Sequence, residues 1–337
     1  EAILKSQGLI NINYEANEHT RKILDSELII CSPGIPSDIT VLKEAKERGI
    51  PVWSEVEFAY RQSTATFLAV TGSTGKSTTV SLLGAIFSEA EKEHVVAGNI
   101  GFPLIDAAPD ISEKGFVISE ISSFQLENID VFKPKVAAIL NLMKNHLDRY
   151  NNEEEYYNTK KSIIGAMDKS DILVLNANDN ALSLWAEQIK NDLPVVFFGR
   201  NIQHSNCVWY EGLYMISKFN NEREEVLSLD KMNIPGRHNY DNACAAYAIA
   251  ISSGIDKKSI QRGIVNFRGL THRLEFVKEV NHIKYYNDSK ATTAESVECA
   301  VNAFESNVHL ISGGKDKGCN FSLIRNSIRN KIKSICL

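Results

Sequence analysis

The chain has 337 residues, of which 43% are hydrophobic and 23% charged, and its formal net charge is −5. This length predicts two or three domains, and the composition is typical of a globular protein with a full hydrophobic core. The small negative charge gives no reason to expect a nucleic-acid or membrane surface, and no apolar run approaches the roughly 20 residues that span a bilayer. The six cysteines are scattered without zinc-like spacing, so we expect reduced thiols and a cytoplasmic protein.

Short apolar runs that end abruptly in small or polar residues recur along the chain, and helical patterns often follow them. The runs, in chain order, are LIIC (28–31), FLAV (67–70), FVIS (116–119), VAAIL (136–140), ILVL (172–175), IKYY (283–286) and VHLI (308–311). Such runs predict buried parallel strands in an α/β fold. Ligands of open α/β sheets bind beyond the carboxyl ends of the strands. The polar clusters that follow these runs therefore predict one functional edge.

Two segments carry helical patterns. After Lys76, the apolar residues Val80, Leu83 and Phe87 fall three or four positions apart, on one face of a helix. The alanine-rich segment DNACAAYAIAI, which starts at Asp241, predicts a tightly packed helix.

The run FLAV leads into TGSTGKST (71–78), a glycine-rich turn between a predicted strand and a predicted helix. Such a turn exposes backbone N–H groups, and the helix N-terminus adds partial positive charge, so both favour phosphate. Lys76 would reach the β- and γ-phosphates, and the Ser77 hydroxyl would help to hold Mg²⁺. A glycine turn with a solvent-exposed lysine is the alternative. The phosphate-binding residues that we predict are Gly72, Ser73, Thr74, Gly75, Lys76, Ser77 and Thr78.

Glu120 and His146 follow the next two strand runs. Glu120 ends an apolar stretch, where a buried carboxylate needs a counter-charge that Mg²⁺ could supply. An N-cap or a salt bridge is the alternative, and the nearby phosphate loop favours the metal. His146 lies in NLMKNHLDRY, after VAAIL. A lone histidine is more often structural, but this one falls in the same predicted row of polar strand ends.

Several of these motifs together resemble the Mur ligase family. The phosphate loop is shorter than the common P-loop and resembles the T-G-T-N-G-K-[ST]-T loop of Mur ligases and folylpolyglutamate synthetases, with Thr74 in place of the usual asparagine. These ATP-dependent enzymes join an amino acid to a carboxylate. The words SSFQLE (122–127) and NHLDRY (145–150) resemble the member that adds D-glutamate to UDP-N-acetylmuramoyl-L-alanine in peptidoglycan synthesis.

This resemblance implies a three-domain Mur ligase architecture, in which a central P-loop, parallel-sheet ATPase domain is flanked by partial Rossmann-like domains. Residues 1–60 would form a partial UDP-substrate domain, 61–270 the ATP-binding domain and 271–337 a partial amino-acid-binding domain. The first residue is Glu1 rather than methionine, and an apolar stretch begins within the closing KSICL. We therefore expect a fragment that lacks segments for uracil at its start and for D-glutamate at its end.

The resemblance also implies two cofactors, ATP and Mg²⁺. Ser77, Glu120 and His146 would be metal ligands. A lysine fifteen residues after the histidine, which counting places at Lys161, would be carbamylated and would bridge metal. Lys160 is adjacent, so the assignment can slip by one, and a solvated lysine on an amphipathic helix is the alternative. Lys76, His146 and Lys161 would be the catalytic residues.

Other family positions fall outside the metal site. PGRHNYDNACAA (235–246), GLTHRLEF (269–276) and NDSKATT (287–293) resemble segments near the nucleotide, the last with Thr293 in place of asparagine. A helix N-cap would explain one of the two asparagines in the first segment but not both. From these segments the nucleotide-binding residues are Asn239, Asn242, Arg273, Asp288 and Lys290.

CSPGIP (31–36), AGNIGFPL (97–104), SSFQLE and SGGKDKG (312–318) carry the remaining resemblance. Turn chemistry alone would explain Asn99 in AGNIGFPL, and an exposed loop would explain SGGKDKG. The substrate-binding residues implied are Ser32, Gly34, Asn99, Ser122, Thr292 and Lys317. The partners would be UDP-N-acetylmuramoyl-L-alanine and D-glutamate, and we expect a monomer without nucleic-acid or membrane partners.

Two alternatives stay open. The first is another ligase of the superfamily, such as a folylpolyglutamate synthetase or a different Mur enzyme, against which SSFQLE and SPGIP argue. The second is a nucleotide-binding protein without catalysis, or an inactive fragment.

Overall fold

A computed structural model of the chain describes residues 19–144, 149–314 and 321–337. The first described unit is a small parallel β–α–β arrangement. Strand β1 (Ile29–Cys31) pairs in parallel with β2 (Val52–Ser54), and helix α1 (Thr40–Glu47) connects them. Its small core includes Leu42 and Ala45 on the buried face of α1. The prediction that LIIC forms a parallel strand is confirmed.

Helix α2 (Glu55–Arg61) ties this unit to the centre of the molecule. Val56 and Ala59 are buried in the core of the central sheet, although the predicted domain boundary falls at residue 60. The buried carboxylate of Glu57 accepts the backbone N–H groups of residues 130–132. By packing, the central unit therefore begins before residue 60.

The central unit is built on a nine-stranded sheet. Its strands are β3 (Thr66–Thr71), β4 (His94–Gly98), β5 (Phe116–Glu120), β6 (Val136–Ile139), β7 (Ile172–Asn176), β8 (Val195–Arg200), β9 (Cys207–Glu211), β10 (Tyr214–Phe219) and β11 (Glu222–Ser228), in the order β11-β10-β9-β8-β7-β6-β3-β5-β4. Every pairing from β4 across to β9 is parallel, and β9, β10 and β11 form an antiparallel meander. FLAV, FVIS, VAAIL and ILVL all form parallel strands here, as predicted.

Helices cover both faces of this sheet. They are α3 (Lys76–Glu89), α4 (Leu104–Ala107), α5 (Ser123–Leu126), α6 (Glu153–Lys161), α7 (Asn180–Ile189), α8 (His238–Ser252) and α9 (Lys257–Asn266). The apolar residues of α3, α8 and α9 fill one core, and those of α2, α4, α5 and α7 contribute to the other. The two predicted helices correspond to α3 and α8. Because α3 begins at Lys76, its first turn directly follows the glycine-rich loop.

The C-terminal part has its own elements. They are β12 (Glu275–Val280), β13 (Ile283–Asn287), α10 (Ala294–Asn302), β14 (Val308–Ile311), α11 (Arg325–Ile328) and β15 (Ile332–Cys336). VHLI becomes β14, which pairs in parallel with β15. The prediction for IKYY is wrong, because β13 is the exposed second strand of an antiparallel hairpin with β12. Asn281 and His282 close that hairpin with φ of 49° and 62°, the left-handed conformation that tight hairpin turns require. Among the helices of the described residues, none is both long and apolar enough to cross a membrane.

Candidate active site

The glycine-rich loop leaves the carboxyl end of β3 and turns sharply into α3. Gly72 has φ of 147° and Gly75 has φ of 83°, both in the region that favours glycine. A Cβ on Gly72 would lie 3.0 Å from Cβ of Leu140, and one on Gly75 would collide with Oδ1 of Asn242. Both glycines are therefore needed for conformation and for close approach. Ser77 and Thr78 lie in the first turn of α3, as predicted.

Asn141, which comes just after β6, holds this loop in place. Its Oδ1 accepts the backbone N–H groups of Ser73 and Thr74, both at 2.9 Å, and its Nδ2 donates to the Thr74 carbonyl at 3.2 Å. One side chain thus makes three hydrogen bonds to two consecutive loop residues. We did not single out Asn141 from the sequence, although it directly follows the run VAAIL at the predicted functional edge.

A second link joins Ser73 to the same loop after β6 and to helix α6. The Ser73 hydroxyl accepts from the Met143 backbone N–H at 2.9 Å and lies 3.3 Å from the hydroxyl of Tyr156. Tyr156 is buried on α6. The sequence did not single out Tyr156 because a tyrosine in an amphipathic helix reads as ordinary core.

Lys76 folds back over its own loop. Its Nζ donates to the carbonyl oxygens of Gly72 at 2.8 Å and Ser73 at 3.2 Å. Burial lowers the pKa of Lys76, the nearby charge of Arg273 lowers it further, and Glu120 opposes both effects. Lys76 therefore lies against the loop, and the charge of Glu120 offsets only part of the cost of burying its ammonium group.

Lys160, rather than the predicted Lys161, reaches this loop. Lys160 is only 2% exposed, and its Nζ donates to the Gly72 carbonyl at 3.1 Å, an oxygen that also accepts from Lys76. Burial, together with the charge of Lys76, lowers the pKa of Lys160 to about 7. A large fraction of this amine is thus neutral near neutral pH.

Lys161 points elsewhere. Its Nζ lies 5.4 Å from the ring centroid of Trp185, on helix α7. Consecutive residues of a helix face different directions, so one position in the count separates a loop contact from a contact with another helix. Of the two neighbouring lysines named from the sequence, Lys160 is therefore the one at the phosphate loop, and carbamylation at either position stays a prediction.

Glu120 lies at the end of β5, beside the loop strand β3. It is 2% exposed, and its Oε1 accepts from Nδ2 of Asn99 at 2.8 Å. Its Oε2 is buried and has no hydrogen-bond partner among the described residues, and the same holds for the hydroxyl of Thr71. In the pairing of β3 with β5, Val70 lies opposite Glu120, so Thr71 follows one residue further along β3, at the same edge of the sheet.

The buried, unpartnered Oε2 of Glu120 fits a hard cation such as Mg²⁺, because burying a carboxylate oxygen without a partner is costly. Within residues 19–144, 149–314 and 321–337, no cluster of three or more His, Cys, Asp or Glu side chains gathers as a metal site. The remaining ligands would thus come from substrate, from a modified lysine or from beyond these residues. The predicted ligand His146 and the predicted substrate residue Lys317 lie outside the described residues.

Asn239 and Asn242 lie behind the glycine loop, at the start of α8. Both are buried, and Asn242 Nδ2 donates to Oδ1 of Asn239 at 3.1 Å. Asn239 Nδ2 in turn donates to the Pro235 carbonyl at 2.6 Å. The two asparagines therefore share one helix face, and their predicted contact with the adenine stays a prediction.

The predicted nucleotide residues of the C-terminal part include Arg273 and Asp288. Burial is the main influence on the pKa of Lys76 and of Asp288, and the charge of Arg273 has a smaller effect on both. Asp288 Oδ1 accepts the backbone N–H of Leu274 at 3.0 Å, and burial raises the pKa of Asp288. The side chains of Lys290 and Thr292 are exposed on the same segment.

The predicted substrate residues on the N-terminal side lie in two turns. Ser32 and Gly34 are exposed in the turn after β1. Ser122 caps α5, where its N–H and hydroxyl donate to Oε1 of Gln125 at 3.0 and 3.1 Å. Asn99 is held through Glu120 at the metal side of the site.

Comparisons with known proteins agree with this arrangement. The family described as the Mur ligase middle domain matches residues 70–250. The UDP-N-acetylmuramoylalanine–D-glutamate ligase of Thermoanaerobacter pseudethanolicus is 37% identical over 329 residues, which cover 97% of this chain and 72% of that protein. The ligase of the same name from Caldicellulosiruptor bescii is 40% identical over 312 residues, which cover 92% of this chain and 68% of that protein.

Solved structures with a similar fold are more distant in sequence. MurC from Thermotoga maritima has a TM-score of 0.61 at 20% identity, over 99% of this chain and 77% of that one. MurF from Thermotoga maritima, solved in complex with ADP, has a TM-score of 0.61 at 14% identity, over 93% of this chain and 89% of that one. At such identities the likeness concerns the fold, which is the predicted α/β Mur ligase architecture. Together with the sequence relatives, it shows that the chain belongs to the Mur ligase family, in the branch of the UDP-N-acetylmuramoylalanine–D-glutamate ligases.

Proposed function

We propose that the chain is an ATP-dependent ligase that joins D-glutamate to UDP-N-acetylmuramoyl-L-alanine in peptidoglycan synthesis, with release of ADP and phosphate. The observation that carries the proposal is the meeting of the glycine loop, the half-buried Lys76, the buried Lys160 and the unpartnered Glu120 oxygen at one edge of the sheet. The reaction follows from the names of the relatives at 37% and 40% identity. The ADP in the structure of MurF, which has a similar fold, supports nucleotide binding by this chain.

The loop would bind the triphosphate of ATP. Its backbone N–H groups and the first turn of α3 supply partial positive charge, and Lys76 would exchange its contacts with Gly72 and Ser73 for phosphate oxygens. Glu120 and Ser77, with the predicted His146, would hold Mg²⁺. When bound, Mg²⁺ would reduce the repulsion between the γ-phosphate and the substrate carboxylate.

Lys160 is the lysine that we propose to be carbamylated. A neutral amine adds to CO₂ to give an N-carboxylate and a proton, so the reaction needs the lowered pKa of about 7 that burial produces here. The product would replace a cation beside Lys76 with an anion and would remove the repulsion between the two lysines. The carboxylate would then be available to a metal ion at the same edge.

The chemistry would run in two steps. An oxygen of the substrate carboxylate attacks the γ-phosphorus and ADP leaves, which gives an acyl phosphate. The amine of D-glutamate then attacks the acyl carbon, and phosphate leaves with the former carboxylate oxygen. The chain's part is positioning and charge neutralisation, which dominate phosphoryl transfer.

The other predicted contacts remain part of the proposal. The residues for adenine and the far phosphates are Asn239, Asn242, Arg273, Asp288 and Lys290. The residues for the nucleotide sugar and D-glutamate are Ser32, Gly34, Asn99, Ser122, Thr292 and Lys317. We also propose the division into substrate, ATP and amino-acid domains, with the first boundary moved before α2, and a monomer that works in the cytoplasm, where ATP is supplied.

Release of phosphate that depends on D-glutamate tests this function. With ATP, Mg²⁺ and UDP-N-acetylmuramoyl-L-alanine, D-glutamate should stimulate release, and L-glutamate and other amino acids should not. Lys76→Ala should lose about 10²-fold or more of the rate, because it removes a cation aimed at the transferred phosphate. Lys92→Ala, an exposed lysine just beyond α3, is the matched control and should retain full activity. Full activity of Lys76→Ala, or equal stimulation by L-glutamate, would contradict the proposal.

A further inference from the structure

Three of the sequence motifs meet at one ion pair. Arg149 of NHLDRY donates from Nε to Oε1 of Glu127 at 3.0 Å and from Nη2 to Oε2 at 2.6 Å, and Glu127 ends the word SSFQLE. The same Nη2 donates to the backbone carbonyl of Ile35, in CSPGIP, at 3.0 Å. This guanidinium therefore joins the N-terminal unit to two separate loops of the central unit.

The Glu127–Arg149 ion pair is largely buried rather than exposed on the surface. The side chains of Arg149 and Glu127 are 15% and 8% exposed. The guanidinium carbon lies 4.7 Å from the ring centroid of Phe124, and the Tyr150 hydroxyl donates to Oε1 of Glu127 at 3.0 Å. A planar fork with two parallel hydrogen bonds is a geometry that arginine supplies and lysine does not.

The carbonyl that Arg149 holds belongs to a short turn. The Ile35 N–H donates to the Ser32 carbonyl at 3.0 Å, which closes the turn at residues 32–35. Ser32 and Gly34, which we assign to the substrate diphosphate, are exposed on this turn, and the Ile35 side chain packs against the core of its own unit. Because Arg149 belongs to the central unit, its bond to the Ile35 carbonyl holds the turn at a fixed position relative to that unit.

We infer that the Glu127–Arg149 pair positions the bound nucleotide sugar by locking the turn at residues 32–36 to the loops that follow β5 and β6. Arg149 acts through Ile35 and is a positioning residue. The loop after β6 also carries Asn141, which holds the phosphate loop. The identity of the nucleotide sugar rests on the proposed function.

A second contact between the same units provides a control. Nζ of Lys46, on α1, donates to Oδ1 of Asn128 at 2.9 Å. This contact joins the N-terminal unit to the same region of the central unit, and it does not involve the turn at residues 32–36. If Arg149 only held the two units together, removing its contact or the Lys46–Asn128 contact would have similar effects on the KM values.

Steady-state kinetics with both substrates varied tests the inference. Arg149→Lys, which keeps the charge and loses the fork, should raise KM for UDP-N-acetylmuramoyl-L-alanine by about 10- to 100-fold and leave KM for ATP within about 3-fold. Glu127→Gln, which keeps an acceptor oxygen and frees Arg149, should raise the same KM by a smaller factor. Lys46→Ala should leave both values within about 2-fold.

The outcomes separate cleanly. An active wild type whose Arg149→Lys variant shows no change, or equal changes in both KM values, would overturn the positioning role, as would the same selective increase in Lys46→Ala. A wild type without D-glutamate-dependent phosphate release would instead contradict the proposed function. If Arg149→Lys does not fold, as judged by its thermal melt, the comparison of Glu127→Gln with Lys46→Ala decides the question in the same way.

Discussion

Lys160 and Lys161 are neighbours in sequence and differ in burial and in contacts. Lys160 is buried and shares the Gly72 carbonyl with Lys76, whereas Lys161 lies over Trp185. The proposed carbamate is therefore assigned to Lys160, the lysine that reaches the phosphate loop. The count from His146 could not decide this, because the direction of each side chain depends on how α6 packs against the loop.

We expect Lys160→Met to lose about 10²-fold or more of the D-glutamate-dependent rate, since it removes the group beside the transferred phosphate. Lys161→Met, with the same substitution one position along the helix, should retain at least about half of the rate. Initial rates of phosphate release at saturating substrates make the comparison. The reverse order of the two variants would restore Lys161 as the functional lysine.

The lowered pKa of Lys160 also predicts a dependence of stability on pH. An unfolded lysine holds its proton to about 10.4, whereas the folded state releases it near 7, so the unfolded state binds more protons between these values. Stability should therefore rise with pH across this window, and below it the full cost of burying the cation is present.

Lys160→Met removes that cost, so it should raise the free energy of unfolding at pH 6 by roughly 2–4 kcal/mol relative to its effect at pH 10. Urea unfolding in CO₂-depleted buffer measures this, and Lys161→Met controls for loss of a cation from the same helix. A Lys160→Met effect that does not change with pH would show that the amine is not buried as described.

Among the elements, the loop after β6 is the one that most clearly holds the phosphate loop in its conformation. Asn141 supplies both an acceptor and a donor to Ser73 and Thr74 of the phosphate loop. Without it, the loop would have to be ordered by the nucleotide itself, and the ordering cost would weaken binding.

Asn141→Ala should therefore raise KM for ATP by about 10-fold or more, with a smaller effect on KM for the nucleotide sugar. Asn176→Ala is a matched control, because Asn176 ends the next strand and its Nδ2 donates to the Leu140 carbonyl at 3.0 Å without touching the phosphate loop. Isothermal titration with ADP measures the same effect without turnover. Equal affinities in Asn141→Ala and Asn176→Ala would remove Asn141 from the site.

Sequence patterns identified the elements that carry the site better than those that extend the sheet. The runs before Thr71 and Glu120 are almost entirely apolar because both faces of these strands are covered, and the polar residues after them then stand out. Strands β8 to β11 were not predicted, and of these β10 and β11 carry charged residues and gain their place from antiparallel pairing. IKYY was misassigned because a short apolar run does not report whether its partner is parallel or antiparallel.

At the scale of the whole molecule, both outer parts have a link to the central unit that carries the phosphate loop. Arg149 of the central unit bonds to the N-terminal turn, and the charge of Arg273, in the C-terminal part, acts on Lys76. Such an arrangement suits a reaction with several substrates. The sequence predicted that the phosphate loop and Glu120 would lie at one edge of the sheet, and the pairing of β3 with β5 places them there. It could not predict the contacts between parts, because a bond such as the one from Arg149 to the Ile35 carbonyl depends on how the two units pack.

The acyl-phosphate route through this shared site is the central claim, and transfer of an oxygen label tests it most directly. UDP-N-acetylmuramoyl-L-alanine labelled with ¹⁸O in both carboxylate oxygens is incubated with ATP, Mg²⁺ and D-glutamate, and the phosphate and the amide product are weighed by mass spectrometry. One labelled oxygen should appear in the released phosphate and one should remain in the amide carbonyl. Phosphate that carries no label, while D-glutamate is consumed, would contradict the account.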